Sequence, residues 1–143
     1  MSFLLDTNVV SETRRKVPDG HVVAWLAAVG QDELYVSVLT LGELANGVAR
    51  RRLRDPDGAA SLAHWLEGIE LLFADRVLPI DTAVAVAWGE FSADRSRPVV
   101  DTLLAATAMV HGLPLVTRNL KDIEGLPVPV LDPWQPSGPE PRP

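Results

Sequence analysis

The chain has 143 residues, 19 of them acidic and 13 basic, which gives a formal charge of −6 and a pI near 4.9. It contains no cysteine, so disulfide scaffolds, thiol catalysis and cysteine-ligated zinc are excluded. The apolar and charged fractions, 47% and 22%, are those of an ordinary globular domain, and no apolar run reaches the ~18 residues of a membrane span. Since no basic segment precedes the first apolar residues, we expect no signal peptide and a cytoplasmic protein.

Short apolar runs alternate along the chain with longer segments of helical periodicity, a pattern typical of a parallel sheet covered by helices. Strands are predicted at 3–5, 34–36, 76–80, 113–116 and 128–130. A helix is predicted after Asp6, and further helices at 20–29, 39–52, 58–72, 82–95 and 99–111. The predicted fold class is α/β, a three-layer α/β/α sandwich with a mostly parallel central sheet. We assign the leucine stripes and the four tryptophans to the core or to subunit contacts.

Only one break in composition interrupts the chain, near its end. Five of the last eleven residues are proline, and such a segment cannot form helices or sheet ladders. We therefore predict one folded domain over residues 1–132 and an extended or disordered tail over residues 133–143.

Four acidic residues are predicted at the same edge of the sheet. Asp6 follows the first strand directly, and Glu43 lies near the start of the helix that follows the second. Asp101 opens the helix at 99–111, and Asp122 comes shortly after the fourth strand. Ligands of open parallel sheets bind at this edge, outside the carboxyl ends of the strands.

Each of these acids, taken alone, has an ordinary structural explanation, because the first turn of a helix favours a carboxylate. Four converging carboxylates, however, repel one another, and some stay protonated unless a cation neutralises them. With no cysteine and only three histidines, the available donors are hard oxygens, which favour Mg²⁺ or Mn²⁺ over zinc. A divalent ion at this edge would activate water for attack on a phosphodiester.

The basic residues are few but grouped, and 11 of the 13 are arginine. Arg14 and Arg15 lie just beyond the first helix, and Arg50 and Arg51 lie at the end of the helix at 39–52. Arginine pairs with phosphate in a bidentate geometry, so both groups are candidate contacts to a nucleic acid. Solvated helix ends, or complementation of the helix dipole, explain the same residues equally well.

Three segments place the acids in a distinctive order. They read LLDTNVVSE from residue 4, SVLTLGEL from residue 37, and DTLLAATA from residue 101, which continues through HGL at 111–113 to LVTRN at 115–119. Together they resemble the PIN-domain family, and within it the VapC-type ribonuclease toxins of toxin–antitoxin modules, including FitB-like members. The resemblance extends from about residue 3 to residue 134. It implies a PIN-like fold and a metal-dependent endoribonuclease.

The same resemblance implies roles for individual residues. The implied metal-binding catalytic acids are Asp6, Glu43, Asp101 and Asp122. Some relatives have an acid at the position of Asn119, whereas many toxin-like members have Asn there and an acid three residues later. Asn119 is then a neutral oxygen ligand or a supporting residue. Thr7 and Thr117 would orient the carboxylates through hydroxyl hydrogen bonds.

The implied partners are an RNA substrate, a VapB-like antitoxin and a second copy of the chain, with no membrane partner. Cleavage would leave a 5′-phosphate and a free 3′-hydroxyl, with Mg²⁺ or Mn²⁺ as cofactor. The antitoxin would insert a basic residue among the carboxylates. Apolar helices at 20–29 and 39–72 are candidate antitoxin contacts, although core packing explains the same residues. Candidate contacts to RNA or to the antitoxin are Arg14, Arg15, Arg50 and Arg51.

Two other folds fit the pattern less well. A haloacid-dehalogenase-type phosphotransferase needs a second carboxylate two residues after Asp6, where this chain has Asn8. A response-regulator receiver needs its acceptor Asp at the end of an apolar strand, whereas Asp55 and Asp57 follow a run of arginines. The alternative that remains open is a non-catalytic PIN-like module that binds RNA or a protein.

Overall fold

The fold is built on a five-stranded sheet, and the computed structural model describes it within residues 1–136. The strands are β1 Phe3–Leu5, β2 Leu34–Ser37, β3 Val77–Leu78, β4 Leu115–Val116 and β5 Val130–Leu131. Their order in the sheet is β3-β2-β1-β4-β5, and every neighbouring pair is parallel. The predicted α/β class is confirmed, with a sheet that is wholly parallel over the described residues.

Six α-helices connect and cover the strands. They are α1 Thr7–Glu12, α2 Gly20–Val29, α3 Val38–Arg52, α4 Pro56–Leu72, α5 Thr82–Phe91 and α6 Val99–His111. Four of them begin at a side chain that accepts a hydrogen bond from a backbone N–H of the first turn, as helix N-termini require. These capping residues are Asp19, Ser37, Asp55 and Asp81. Within residues 1–136, none of the helices is long and apolar enough to cross a bilayer.

The central strand β1 is buried on both faces, which is why its sequence is continuously apolar. Phe3 and Leu5 pack on one face into a core shared with α1, α2, α3 and α4. Leu4, between them, points to the other face and packs into a second core formed with α5 and α6. Because side chains alternate along the strand, β1 contributes apolar residues to both cores, one on each face of the sheet.

The strands predicted at 76–80 and 113–116 are shorter in the structure, at Val77–Leu78 and Leu115–Val116, and two other predicted boundaries were also wrong. The helix predicted at 82–95 ends at Phe91, because the segment beyond it is held as a loop in which Arg97 donates to the carbonyl oxygens of Phe91 and Glu124. The strand predicted at 128–130 lies instead at Val130–Leu131, the pair that is in register with Leu115 and Val116 of β4. Both differences depend on contacts with distant parts of the chain.

Most of the predicted tail at 133–143 lies outside the described residues. Within the described part, Asp132 accepts a hydrogen bond from the N–H of Trp134 at 2.9 Å. Trp134 packs against the core on the α2 and α4 side of the sheet, and the Arg118 guanidinium lies 4.2 Å from the centroid of its ring. The packed chain therefore extends at least to Trp134.

Candidate active site

Asp6 and Thr117 meet because β1 and β4 are neighbouring parallel strands that end at the same edge. The Asp6 N–H donates to the Val116 carbonyl oxygen at 2.9 Å, which continues the pairing one residue beyond β1. The Thr117 hydroxyl then donates to Asp6 Oδ2 at 2.8 Å. Asp6 is only 4% exposed and Thr117 only 3%. The fold thus holds one predicted acid in a buried position with a fixed orientation.

Burial raises the pKa of Asp6 above its ordinary value. The Thr117 hydroxyl and the backbone N–H groups of Thr7 and Asn8 stabilise the carboxylate and oppose this shift, whereas repulsion from Glu43 adds to it. The net effect is a raised pKa, so a nearby positive charge would stabilise the ionised form of this buried carboxylate.

Asp101 lies in the first turn of α6 and is half-buried. Burial raises its pKa to about 6, and repulsion from Asp6, Asp122 and Glu43 contributes to the shift. The other three predicted acids therefore all act on Asp101 at this edge of the sheet.

Asp122 and Asn119 belong to the segment that follows β4. Asp122 is half-buried in a short 3₁₀ helix, Leu120–Ile123. The Asn119 N–H donates to Thr117 Oγ1 at 3.0 Å. This hydrogen bond orients the hydroxyl that Thr117 donates to Asp6. Asn119 also lines the narrow crevice between Asp6 and Asp101, which has no room for a water molecule. Asn119 therefore lies at the candidate site, and its role as a ligand or a supporting residue stays a prediction.

Glu43 lies in the second turn of α3, beyond the first-turn position at which helix-dipole compensation would explain a carboxylate. It is exposed, and its Oε1 accepts a hydrogen bond from the Thr7 hydroxyl at 2.6 Å. The buried Thr40 hydroxyl lies 3.0 Å from that of Thr7. Thr7, the first residue of α1, thus links the end of β1 to α3 and holds Glu43 on the side of the acids.

Beside Glu43 lies an open cavity of about 430 Å³, here named the α3–α4 groove. Its lining includes Thr7, Glu43, Arg14, Gly47, Leu62 and Trp65. The spacing of Leu62 and Trp65 predicts a place in the core or in a subunit contact; both side chains pack against the core but are only half-buried. Helical periodicity shows which face of a helix is apolar, and it does not show whether that face is fully covered.

The predicted basic contacts fall into different environments. Arg14 and Arg15 line the α3–α4 groove, and the Arg14 guanidinium lies 5.8 Å from the centroid of the Trp65 ring. Arg50 is exposed at the end of α3. Arg51, by contrast, pairs at 3.3 Å with Asp55, the capping residue of α4. Arg51 is therefore engaged in joining the two helices.

Glu12 was quoted in the sequence motif without a role, and the structure supplies one. Its side chain is only 5% exposed, and its carboxylate accepts the N–H of Asp19 at 2.8 Å. Arg15 lies 3.4 Å from the same carboxylate. Glu12 therefore fixes the loop between α1 and α2, a structural role that only a long-range contact reveals.

The donor set fits a hard divalent cation, since the groups at this edge are carboxylate, hydroxyl and amide oxygens. Within residues 1–136, however, no three acidic or histidine side chains are grouped closely enough to hold one ion in the present arrangement. Mutual repulsion, which contributes to the raised pKa of Asp101, opposes closer approach of the uncompensated carboxylates. The residues therefore fit the ion chemically, and side-chain rotation would have to complete the site.

Comparison with known proteins matches this arrangement to a family. The family model for the PIN domain matches residues 3–124, a range that contains all four acids. The chain belongs to the PIN-domain family. The response-regulator alternative needed an acceptor Asp at the end of a strand. Asp55, one of the two acids considered for that role, instead caps α4.

Relatives of this PIN domain align over almost its entire length. The toxin FitB of Neisseria gonorrhoeae is 36% identical and covers 92% of this chain and 98% of its own. The VapC ribonuclease Y4jK of Sinorhizobium fredii is 34% identical and covers 94% of this chain and 99% of its own. A chain from the structure of FitAB bound to an IR36 DNA fragment superposes with a TM-score of 0.84 at 34% identity, covering 93% of this chain and 96% of that one. The resemblance and the PIN-like fold predicted from the sequence are both confirmed.

Proposed function

We propose that this PIN domain is an endoribonuclease that hydrolyses RNA phosphodiesters with Mg²⁺ or Mn²⁺, and that it is the toxin of a VapBC-type module. The observation that most directly supports it is the convergence at Asp101, where burial and three neighbouring carboxylates raise the pKa to about 6. Such an arrangement is costly for folding alone and favours a bound cation. Relatives named as a toxin and as a VapC ribonuclease support the choice of RNA as substrate.

The acids of the chain would bind the ion, and two threonines would orient the acids. Asp6 and Asp101 would hold the ion, with Glu43 and Asp122 completing its surroundings directly or through water. When bound, the ion supplies charge stabilisation at the phosphoryl group and lowers the pKa of a water molecule. Thr117 keeps Asp6 Oδ2 in place, and Thr7 does the same for Glu43. Orienting hydrogen bonds of this kind are what metal-binding carboxylates require.

The proposal includes the partners expected from the resemblance. A VapB-like antitoxin would cover the site, a possibility supported by the similarity to a chain of the FitAB structure. A homodimer and action in the cytoplasm, where RNA substrates are found, belong to the same proposal. Arg14, Arg15 and Arg50 remain the candidate contacts to RNA or antitoxin, whereas Arg51 is engaged by Asp55.

The test uses purified protein freed from any antitoxin and incubated with tRNA, rRNA and mRNA pools. We expect cleavage in Mg²⁺, no cleavage in EDTA, and recovery when excess Mg²⁺ or Mn²⁺ is added. The products should carry 5′-phosphate ends, detectable by ligation-based sequencing. A folded, antitoxin-free protein that cleaves none of the three pools would instead support the non-catalytic module.

A further inference from the structure

The α3–α4 groove is contiguous with the acidic edge. Thr7 and Glu43, which hydrogen-bond to each other, belong to its lining. Gly47 follows Glu43 by about one turn of α3, so the groove leads from the acids along the helix. Its volume of about 430 Å³ lies within the range of roughly 300–1,000 Å³ that is typical of small-molecule sites.

We propose that the α3–α4 groove binds one unpaired nucleoside of the RNA substrate, adjacent to the phosphate that is cleaved. This inference rests on the proposed ribonuclease function and adds a subsite that selects among RNA sequences. An unpaired base offers a flat apolar face with polar edges, and its attached phosphates are negatively charged. The groove must therefore supply an aromatic or apolar surface together with cationic groups.

The lining of the groove supplies both. Trp65 is half-buried, and Leu44 and Leu62 also line the cavity. Arg14 lies over the Trp65 ring at 5.8 Å, so its guanidinium is held close to the aromatic surface. Proteins that bind single-stranded RNA combine aromatic rings, on which bases stack, with arginines that contact the backbone.

Arg14 is available for such a contact. Within residues 1–136 it pairs with no carboxylate, whereas Arg15 is tied to Glu12. Arg14 is also partly sheltered, which strengthens a charge-assisted hydrogen bond to phosphate. An apolar peptide segment would fit the leucine walls equally well, but it would make no use of the Arg14 guanidinium that lines the same groove. These charges favour the nucleoside as occupant.

Gly47 allows the groove to be filled without removing any contact. A Cβ atom built at this position meets no described atom within 4 Å, and the residue has ordinary helical backbone geometry. Gly47→Ala should stabilise α3, because glycine disfavours helix by about 1 kcal/mol relative to alanine. Gly47→Leu should occupy the cavity. Gly68, on α4, has the same open surroundings and does not line the groove, so Gly68→Leu is the matched control.

The experiment measures binding of short single-stranded RNA oligonucleotides to antitoxin-free protein in EDTA, by fluorescence anisotropy. We expect Gly47→Leu to weaken binding by about tenfold or more, because stacking of a single base has an effect of this size. Gly47→Ala should be at least as stable as the wild type, and Gly68→Leu should bind like it. Nucleoside monophosphates should quench tryptophan fluorescence in the wild type but not in Trp65→Phe.

In Mg²⁺, Gly47→Leu should raise KM more than it lowers kcat, and it should change the preferred cleavage sequence. Unchanged affinity and unchanged cleavage sequence in Gly47→Leu would overturn the inference and leave the ribonuclease proposal intact. So would a Gly47→Leu protein that loses only antitoxin binding, since the groove would then be a peptide site. Conversely, oligonucleotide binding that depends on Gly47 in a protein that never cleaves RNA would support the nucleoside site and refute the ribonuclease.

Discussion

Asp6 and Glu43 belong to the same acidic site but differ in their exposure to solvent and in the space beside them. Asp6 is almost completely buried, accepts a hydrogen bond from the Thr117 hydroxyl, and borders a crevice with no room for water. Glu43 is exposed on α3, receives the Thr7 hydroxyl, and borders a cavity of about 430 Å³. The difference indicates that the Asp6 side determines the electrostatics of the site and the Glu43 side determines what can approach it.

The largest expected effect is on the buried side. Asp6→Asn keeps the size of the side chain and an acceptor for Thr117 but removes the charge, so RNA cleavage in Mg²⁺ should fall by about a thousandfold. Single-turnover cleavage measures the loss, and circular dichroism checks the fold. Asp57→Asn, at an exposed residue on α4, is the control. A folded Asp6→Asn protein within tenfold of wild-type activity would show that the buried carboxylate is not required.

On the open side the expected effect is smaller. Glu43→Gln keeps the hydrogen bond from Thr7 and removes a charge that solvent already screens, so cleavage should fall by about 10–100-fold. The same assay should show partial rescue at high Mg²⁺, because weaker ion binding is the cause. If Glu43→Gln lost as much activity as Asp6→Asn, the two sides of the site would be equivalent and the distinction between them would fail.

The two supporting threonines provide a matched pair. Thr117→Val leaves buried Asp6 Oδ2 without its donor and the Asn119 N–H without its acceptor, which should lower the free energy of unfolding by about 1–3 kcal/mol. Thr7→Val removes a hydrogen bond to the exposed Glu43 carboxylate and the contact with the Thr40 hydroxyl, and it should cost less, about 0.5–1 kcal/mol, because Glu43 stays solvated. Urea denaturation of both variants measures the difference. Equal losses would contradict the unequal burial of Asp6 and Glu43.

A further effect of similar size concerns Asp101 and has the opposite sign. Its pKa is raised to about 6 in the folded chain by burial and by the neighbouring acids, so its charged form destabilises the fold above that pH. Asp101→Asn should therefore increase the free energy of unfolding of the metal-free protein at pH 7, on the order of 1 kcal/mol because the side chain is half-exposed. The advantage should vanish near pH 4, where Asp101 is largely protonated. Urea denaturation in EDTA at both pH values checks this, and a variant no more stable at pH 7 would refute it.

Sequence reasoning located the acids more accurately than their surroundings. Asp6 and Asp101 were placed correctly because each is marked by a local pattern, the end of an apolar run in one case and the first turn of the helix that follows Pro98 in the other. Glu12 and Arg51 were not understood, because their partners, Asp19 and Asp55, lie across a loop or a helix junction. Local patterns identify an element and its ends, but they do not reveal which side chains meet in a connection between elements.

The amino-acid sequence by itself determined the alternation of strands and helices and the position of the four acids at or near strand and helix ends, since both depend on short-range periodicity and turn chemistry. Only the tertiary structure decided that Asp6 is buried while Glu43 is exposed, that Trp65 lines an open groove, and that β5 begins at Val130. The physical reason is that burial and register depend on which helix covers each strand end and which strand lies beside it. Those contacts join residues distant in the chain, and no local pattern encodes them.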